Sequence, residues 1–206
     1  MSVATDIIIL RGAPGSGKSQ TAKSLTKYFP KGVRLEVDTI RQMVISVDWT
    51  NQQEHIDMLQ ASTKLVLEFL NFGYKPVIVI DTFSGDKINR YLQTLYEQKE
   101  NIDIKLFGLY TTDEELRKRL ELRTNAEFKD FSICKKLNDD VLKWKPDNEL
   151  QINTTGLTPT QTAEKVYGHI NTEGGVTCKL GALCFYSSSV QVDSFVLRNP
   201  PERKAR

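Results

Sequence analysis

The stretch "IIILRGAPGSGKSQTAKSL", Ile7 to Leu25, constrains the fold more tightly than any other part of the sequence. Its centre, "GAPGSGKS", fits G-x-x-x-x-G-K-[ST] at every fixed position: Gly12, Gly17, Lys18 and Ser19. Four apolar residues, Ile7 to Leu10, predict a short buried strand before it, and Lys18 to Phe29 predict a helix after it. Strand, glycine loop and helix N-terminus thus follow in the order that phosphate binding needs. Glycines let backbone N–H groups turn toward an anion with no Cβ in the way, and the helix dipole adds partial positive charge there. The expected nucleotide-binding segment is Gly12, Ala13, Pro14, Gly15, Ser16, Gly17, Lys18, Ser19 and Gln20. Lys18 is expected to reach the β- and γ-phosphates of ATP and Ser19 to give its hydroxyl to Mg²⁺.

The rest of the chain repeats the alternation of strand and helix. "GVRLEVD" (32–38) predicts a second strand ending on an acid, followed by a short helix over "TIRQMVISV". A long helix is expected from about Gln53 to Phe72, where Ile56, Leu59, Val66, Phe69 and Leu70 fall near helical spacing. "KPVIVIDT" is a continuous apolar strand of the kind parallel sheets bury on both faces. Helix "DKINRYLQTLYEQKE", strand "IDIKLFGLYTT" and helix "DEELRKRLELRTN" follow, the last with Asp113 and Glu114 complementing the dipole in its first turn. After a loop at "NAEFKDF", a helix "SICKKLNDDVLKWK", a strand "NELQINT" and a helix "TPTQTAEKVYGHI" complete the pattern. Thr158, Pro159 and Gln161 spell the start of that last helix as a capping box. The expectation is an α/β fold with a mainly parallel sheet.

At 206 residues the chain suits one domain with a small extension. The tail from Asn171 to Arg206 changes character and contains two stretches of strand character, around "CKLGALCFY" and "VQVDSFVL". A β-hairpin followed by a disordered basic end is expected, with Cys178 and Cys184 too far apart for a mutual disulfide within one strand. A net charge of +2 argues against a strong global field for nucleic acid or membranes. Three cysteines without a C-x-x-C, and two histidines, speak against a zinc site or disulfide framework. No apolar run approaches membrane-spanning length and "MSVATD" has no leader-like pattern, so a soluble, cytoplasmic protein is expected.

A phosphate loop alone does not make a transferase, so a second set of groups is needed. In "VDTIR", Asp38 is expected at the C-terminal end of the second strand, beside the point where the first strand delivers the loop. Open α/β sheets place ligands at that edge. Asp38 could accept the proton of a hydroxyl attacking the γ-phosphate, and Arg41, one turn later, could hold that substrate. The same spelling also suits a helix-capping aspartate with a solvated arginine. In "LRKRLELRTN", Arg119 and Arg123 share one helix face. They could neutralise a transferring phosphoryl group when a lid closes, or form part of a solvated, acid-laced surface.

Together, "GAPGSGKS", "VDTIR", "VIVIDT" and "EELRKRLELR" resemble the P-loop kinases of the polynucleotide-kinase group, whose relatives include chloramphenicol phosphotransferase-like and zeta-toxin-like enzymes. The resemblance spans about Asp6 to Ile170. It implies a P-loop NTPase fold, a three-layer α/β/α sandwich with a helical lid at about 117–145, in a domain covering 1–170, with 171–206 as a C-terminal extension. It also implies Asp38 as general base, Arg41 on the acceptor, Arg123 on the transferring phosphate with Arg119 beside it, and Asp81 as a strand-end acid near the acceptor or the Mg²⁺. Lys18, Asp38, Arg41 and Arg123 are the catalytic set so implied.

The acceptor is expected to be nucleic acid, a 5′-hydroxyl end or a hydroxylated base in DNA, with Trp49, Phe83 and Tyr91 available to stack on a base. Only Lys129 adds basic charge between Arg123 and the next helix, which favours the alternative, a small-molecule kinase for a nucleoside, sugar or antibiotic. A non-catalytic nucleotide-binding module is the third reading, for which Asp38 is superfluous.

Overall fold

The computed structural model describes residues 5–124 and 128–172. The hairpin and basic end expected further along, with Cys178 and Cys184, lie outside the described residues. The elements in chain order are β1 (Ile7–Gly12), α1 (Lys18–Leu25), β2 (Val33–Glu36), α2 (Val37–Arg41), α3 (Gln52–Asn71) and β3 (Val77–Asp81). They continue with α4 (Lys87–Gln98), β4 (Ile104–Tyr110), α5 (Asp113–Glu121), α6 (Phe131–Lys143), β5 (Glu149–Asn153) and α7 (Pro159–Thr172).

Local chemistry sets many of these boundaries. Asn51 caps α3 by accepting from the Gln53 and Glu54 N–H groups, and Thr112 caps α5 by accepting from Glu115 N–H. The capping box of α7 forms in both directions: Thr158 N–H donates to Gln161 Oε1 at 2.9 Å, and Gln161 N–H to Thr158 Oγ1 at 3.2 Å. The first helix is shorter than its pattern suggests. It tightens into a 3₁₀ turn over Thr26–Tyr28, where the Thr26 hydroxyl donates to Lys23 O.

The five strands are parallel, in the order β2-β3-β1-β4-β5. Alternate residues of β1 face opposite layers, as the two-residue period requires. Ile7 and Ile9 join a core with Leu59, Val66 and Leu70 of α3 and Ile88, Leu92 and Leu95 of α4. Ile8 and Leu10 join another with Ala22 and Leu25 of α1 and Ala163, Val166 and Ile170 of α7. The result is the expected three-layer α/β/α arrangement. Leu116, Leu120 and Cys134 form a smaller core between α5 and α6. Burial of an unpaired guanidinium is costly, and Arg11 of β1 is fully buried. It pairs with the equally buried Glu149 of β5 and donates to Val141 O, Trp144 O and Phe83 O.

Strand order corrects one expectation. Asp38 does not end a strand beside β1: β2 stops at Glu36, and Asp38 lies in the first turn of α2. β3 separates β2 from β1, with Asp81 in register with Arg11. All five residues of β3 are buried, so it belongs inside the sheet, whereas β2 carries the exposed Arg34 and suits the edge.

Candidate active site

The β1–α1 loop has the backbone its glycines allow. A Cβ on Gly12 would stand 2.4 Å from Leu109 O, so no side chain fits there. Gly17 takes φ 96° as it hands the chain to α1, a conformation open to glycine at no steric cost. Residues Gly15 to Thr21 line a cleft of about 510 Å³, together with Glu115, Arg119, Leu122 and Arg123 of the α5 region and Thr154, Leu157, Pro159 and Thr162 from the β5–α7 region. Ala13 and Ser16 are buried and Pro14 is half-buried. Ser19 and Gln20 are exposed.

Lys18 folds back over the loop, its Nζ donating to Ala13 O at 3.0 Å. Burial lowers its pKa to about 8, with Arg123 adding to the shift and the Asp81 and Asp38 carboxylates opposing it. Burial also raises the pKa of Asp38, and the neighbouring Asp81 charge pushes it the same way. Asp81 behaves differently: burial pushes its pKa up, but hydrogen bonds from His55 and the Phe83 N–H together with nearby positive charge, including that of Lys18, outweigh this and lower it. Two carboxylates and an ammonium thus meet at the C-terminal edge of the sheet, with environments that separate their protonation behaviour.

The residues present fit Mg²⁺ carried in on a nucleotide. Among the described residues no group of three or more His, Cys, Asp or Glu side chains forms a metal cage. Mg²⁺ bound through one or two protein oxygens plus phosphates needs none. Ser19 Oγ donates its proton to Glu36 Oε2 at 3.1 Å, which leaves oxygen lone pairs for a cation, and Asp81 stands at the end of β3 within electrostatic reach of Lys18.

Arg119 needs no lid closure to reach the loop. Its Nε donates to Glu115 at 2.8 Å, Nη1 to Thr154 Oγ1 at 3.0 Å and Nη2 to Thr154 O at 2.7 Å. Nη1 also lies 3.4 Å from Gly15 O. Arg123 lines the same cleft, with Nη1 donating to Phe128 O at 2.7 Å.

Arg41 is not disposed as expected. It is buried in an ion pair with Glu54 at 2.8 Å and donates to Asn51 O at 3.0 Å and to Asp48 O. Its guanidinium also lies 4.9 Å from the centre of the Trp49 ring. These bonds tie α2 to the α2–α3 loop and to α3, and they use the Nε and Nη2 donors of the guanidinium. Of the three aromatic residues expected to be available for stacking, Phe83 and Tyr91 are buried edge to face at 5.0 Å, and Trp49 alone is exposed.

Residues the sequence passes over include Thr154, Leu157, Pro159 and Thr162 along the cleft, Glu36 at Ser19, and His55 at Asp81; Lys87, expected from the sequence as local basic charge for an acceptor's phosphates, stands against His55. The capping box fixed the place of Pro159 but not what it would face. His55 carried a signal, a histidine on the buried face of α3 in line with Leu59, Ser62, Val66 and Leu70.

No helix among the described residues is long and apolar enough to cross a membrane. No curated protein matches the chain in sequence. Among solved structures, a sugar kinase from Janibacter sp. is similar with a TM-score of 0.62 at 16% identity, covering 81% of this chain and 95% of the other. The APS kinase of Mycobacterium tuberculosis in complex with AMPPNP and APS gives 0.61 at 14%, covering 81% and 98%. A chain of the Pnkp1/Rnl/Hen1 RNA repair complex gives 0.55 at 23%, covering 69% of this chain and 46% of the other. These likenesses carry the fold, a P-loop kinase-like sandwich. The family follows from the sequence itself: residues 7–143 match the AAA domain family described as AAA_33, and the chain belongs to it.

Proposed function

We propose that this protein is a kinase that moves the γ-phosphate of Mg²⁺·ATP to a hydroxyl of a small molecule. The observation that carries the reading is the meeting of Lys18, Asp38 and Asp81 at the sheet edge beside a phosphate-binding loop. In this reading the loop N–H groups and Lys18 hold the phosphates. Ser19 and Asp81 would hold Mg²⁺, which would supply positive charge to offset that of the phosphates. Asp38, its pKa raised by burial and by the Asp81 charge, takes the proton of the attacking hydroxyl. Arg123 steadies the transferring group with Arg119 beside it at the loop, and the base lies in the cleft bounded by Arg119, Leu157, Pro159 and Thr162.

Two observations favour a small acceptor over a nucleic-acid end. Arg41 is ion-paired with Glu54 of α3 and bonded to the α2–α3 loop, and that loop adds Asp48 to Glu36 and Asp38 rather than a row of cations. A strand of phosphates wants several cationic contacts. The similar chains that are a sugar kinase and an APS kinase fit the same reading. Lys87 and the exposed Trp49 keep the polynucleotide reading worth testing beside it.

The test is transfer of labelled γ-phosphate from ATP to sugars, nucleosides and aminocyclitols and to 5′-hydroxyl oligonucleotides, each across a salt series. A small hydroxylated acceptor should be phosphorylated with a KM nearly flat in salt. Efficient phosphorylation of an oligonucleotide, with affinity falling at a log–log slope of about −0.7 per neutralised phosphate, would restore the nucleic-acid acceptor.

A pH dependence follows from Lys18. Above about pH 8 the free protein loses this ammonium, so kcat/KM for ATP should decline there. The phosphates of bound ATP favour the charged form, so the matching decline in kcat should move to higher pH. Coincident limbs in the two profiles would detach them from Lys18.

A further inference from the structure

His55 of α3 joins two groups that the proposed reaction treats separately. Its Nε2 stands 3.1 Å from Asp81 Oδ1, and its Nδ1 stands 3.0 Å from Lys87 Nζ at the start of α4. Lys87 Nζ also donates to Gln52 Oε1 at 2.8 Å. An ammonium has donors only, so Nδ1 must accept and the ring proton belongs on Nε2, where it donates to Asp81. The other carboxylate oxygen, Oδ2, accepts from the Phe83 N–H at 2.8 Å.

That second bond has its own scaffold. Phe83 is not glycine, yet it takes φ 47°, and its ring is fully buried against Tyr91 while its carbonyl accepts from Arg11. The strained reversal of the chain turns the Phe83 amide back onto Asp81. Asp81 is therefore held at both oxygens by donors from two different elements. Each oxygen keeps one lone pair for a further partner.

We propose that His55 is a positioning residue for phosphoryl transfer: the Lys87–His55–Asp81 chain, with the Phe83 amide, fixes the plane of the Asp81 carboxylate so that it presents to Mg²⁺ on the nucleotide. This rests on the reading of Asp81 given above. A histidine that donates its second nitrogen's proton to a carboxylate near a metal works in the same physical way as outer-shell partners elsewhere, orienting the ligand without touching the ion. Lys87 acts one step further out, by selecting the tautomer.

The chain has two histidines, which makes the imidazoles readable by ¹⁵N NMR of the full protein, with His169 as the internal comparison. The expected spectrum places the His55 proton on Nε2, and Lys87→Met should shift His55 toward a mixture of tautomers. A His55 protonated on Nδ1, or a spectrum unchanged by Lys87→Met, would overturn the proposal. The second readout is the Mg²⁺ midpoint for binding of ATP, measured without turnover. His55→Leu should raise that midpoint by about 10- to 100-fold, while His55→Gln, whose amide can still donate to Asp81, should restore most of it. Equal midpoints for wild type and His55→Leu would overturn the proposal even if both variants are folded. Neither readout requires an acceptor, so failure to find a phosphorylated product would count against the proposed reaction and leave this inference standing.

Discussion

Lys18→Ala should lower phosphoryl transfer by at least about a thousandfold while the protein stays folded. The size follows from removing a fixed positive charge where charge develops on the transferring group, in a site sheltered from water. The folded state should survive because Lys18 contributes no apolar packing to either main core, and its ammonium is held at a cost that lowers its pKa to about 8. Its one backbone contact, to Ala13 O, lies in a loop whose path is set by Gly12 and Gly17. Circular dichroism and thermal unfolding check the fold, and single-turnover transfer checks the chemistry. Near-normal transfer by a folded Lys18→Ala protein would remove the loop from the reaction.

Asp38→Asn should reduce transfer by about two to four orders of magnitude and leave ATP binding close to normal. The amide keeps the shape of the carboxylate but cannot take a proton. Burial and the Asp81 charge raise the Asp38 pKa, which makes it the better proton acceptor of the two carboxylates. Asp81, held by two hydrogen bonds, is the better fixed anion. The two roles predict opposite signatures. Asp38→Asn should act on kcat at saturating Mg²⁺·ATP, whereas Asp81→Asn should act first on the Mg²⁺ requirement. Loss of ATP affinity with normal saturated turnover in Asp38→Asn would exchange the assignments.

The strands and helices were legible in the sequence because their signals are local. "VIVID" is apolar throughout and becomes a fully buried strand, and Thr158 with Gln161 forms the cap its spacing announces. The phosphate loop was legible for the same reason: eight consecutive residues carry it. Strand order was not, because it depends on which face and edge each strand can bury. Asp38 therefore lies one strand further from β1 than expected, with β3 and Asp81 between.

The partners of Arg41 were not legible for a related reason. The motif supplies its spacing from Asp38, but Asp48 and Asn51 come from the α2–α3 loop and Glu54 from the first turn of α3, whose placement the motif does not encode. The cleft wall formed by Arg119 and Thr154 was hidden by distance along the chain. Arg119 meets Thr154, 35 residues away, only when α5 and the β5–α7 loop converge over the phosphate loop. His55 and Asp81, 26 residues apart, meet in the same way.

The central claim is that the γ-phosphate leaves ATP for a hydroxyl, with Asp38 taking the proton. It is tested most directly by incubating the full chain with Mg²⁺·[γ-³²P]ATP and a mixture of small hydroxylated metabolites, then following the label. The account predicts one labelled phosphomonoester formed in step with ADP, and its loss in Asp38→Asn. Label released only as inorganic phosphate, at a rate Asp38→Asn does not change, would contradict it.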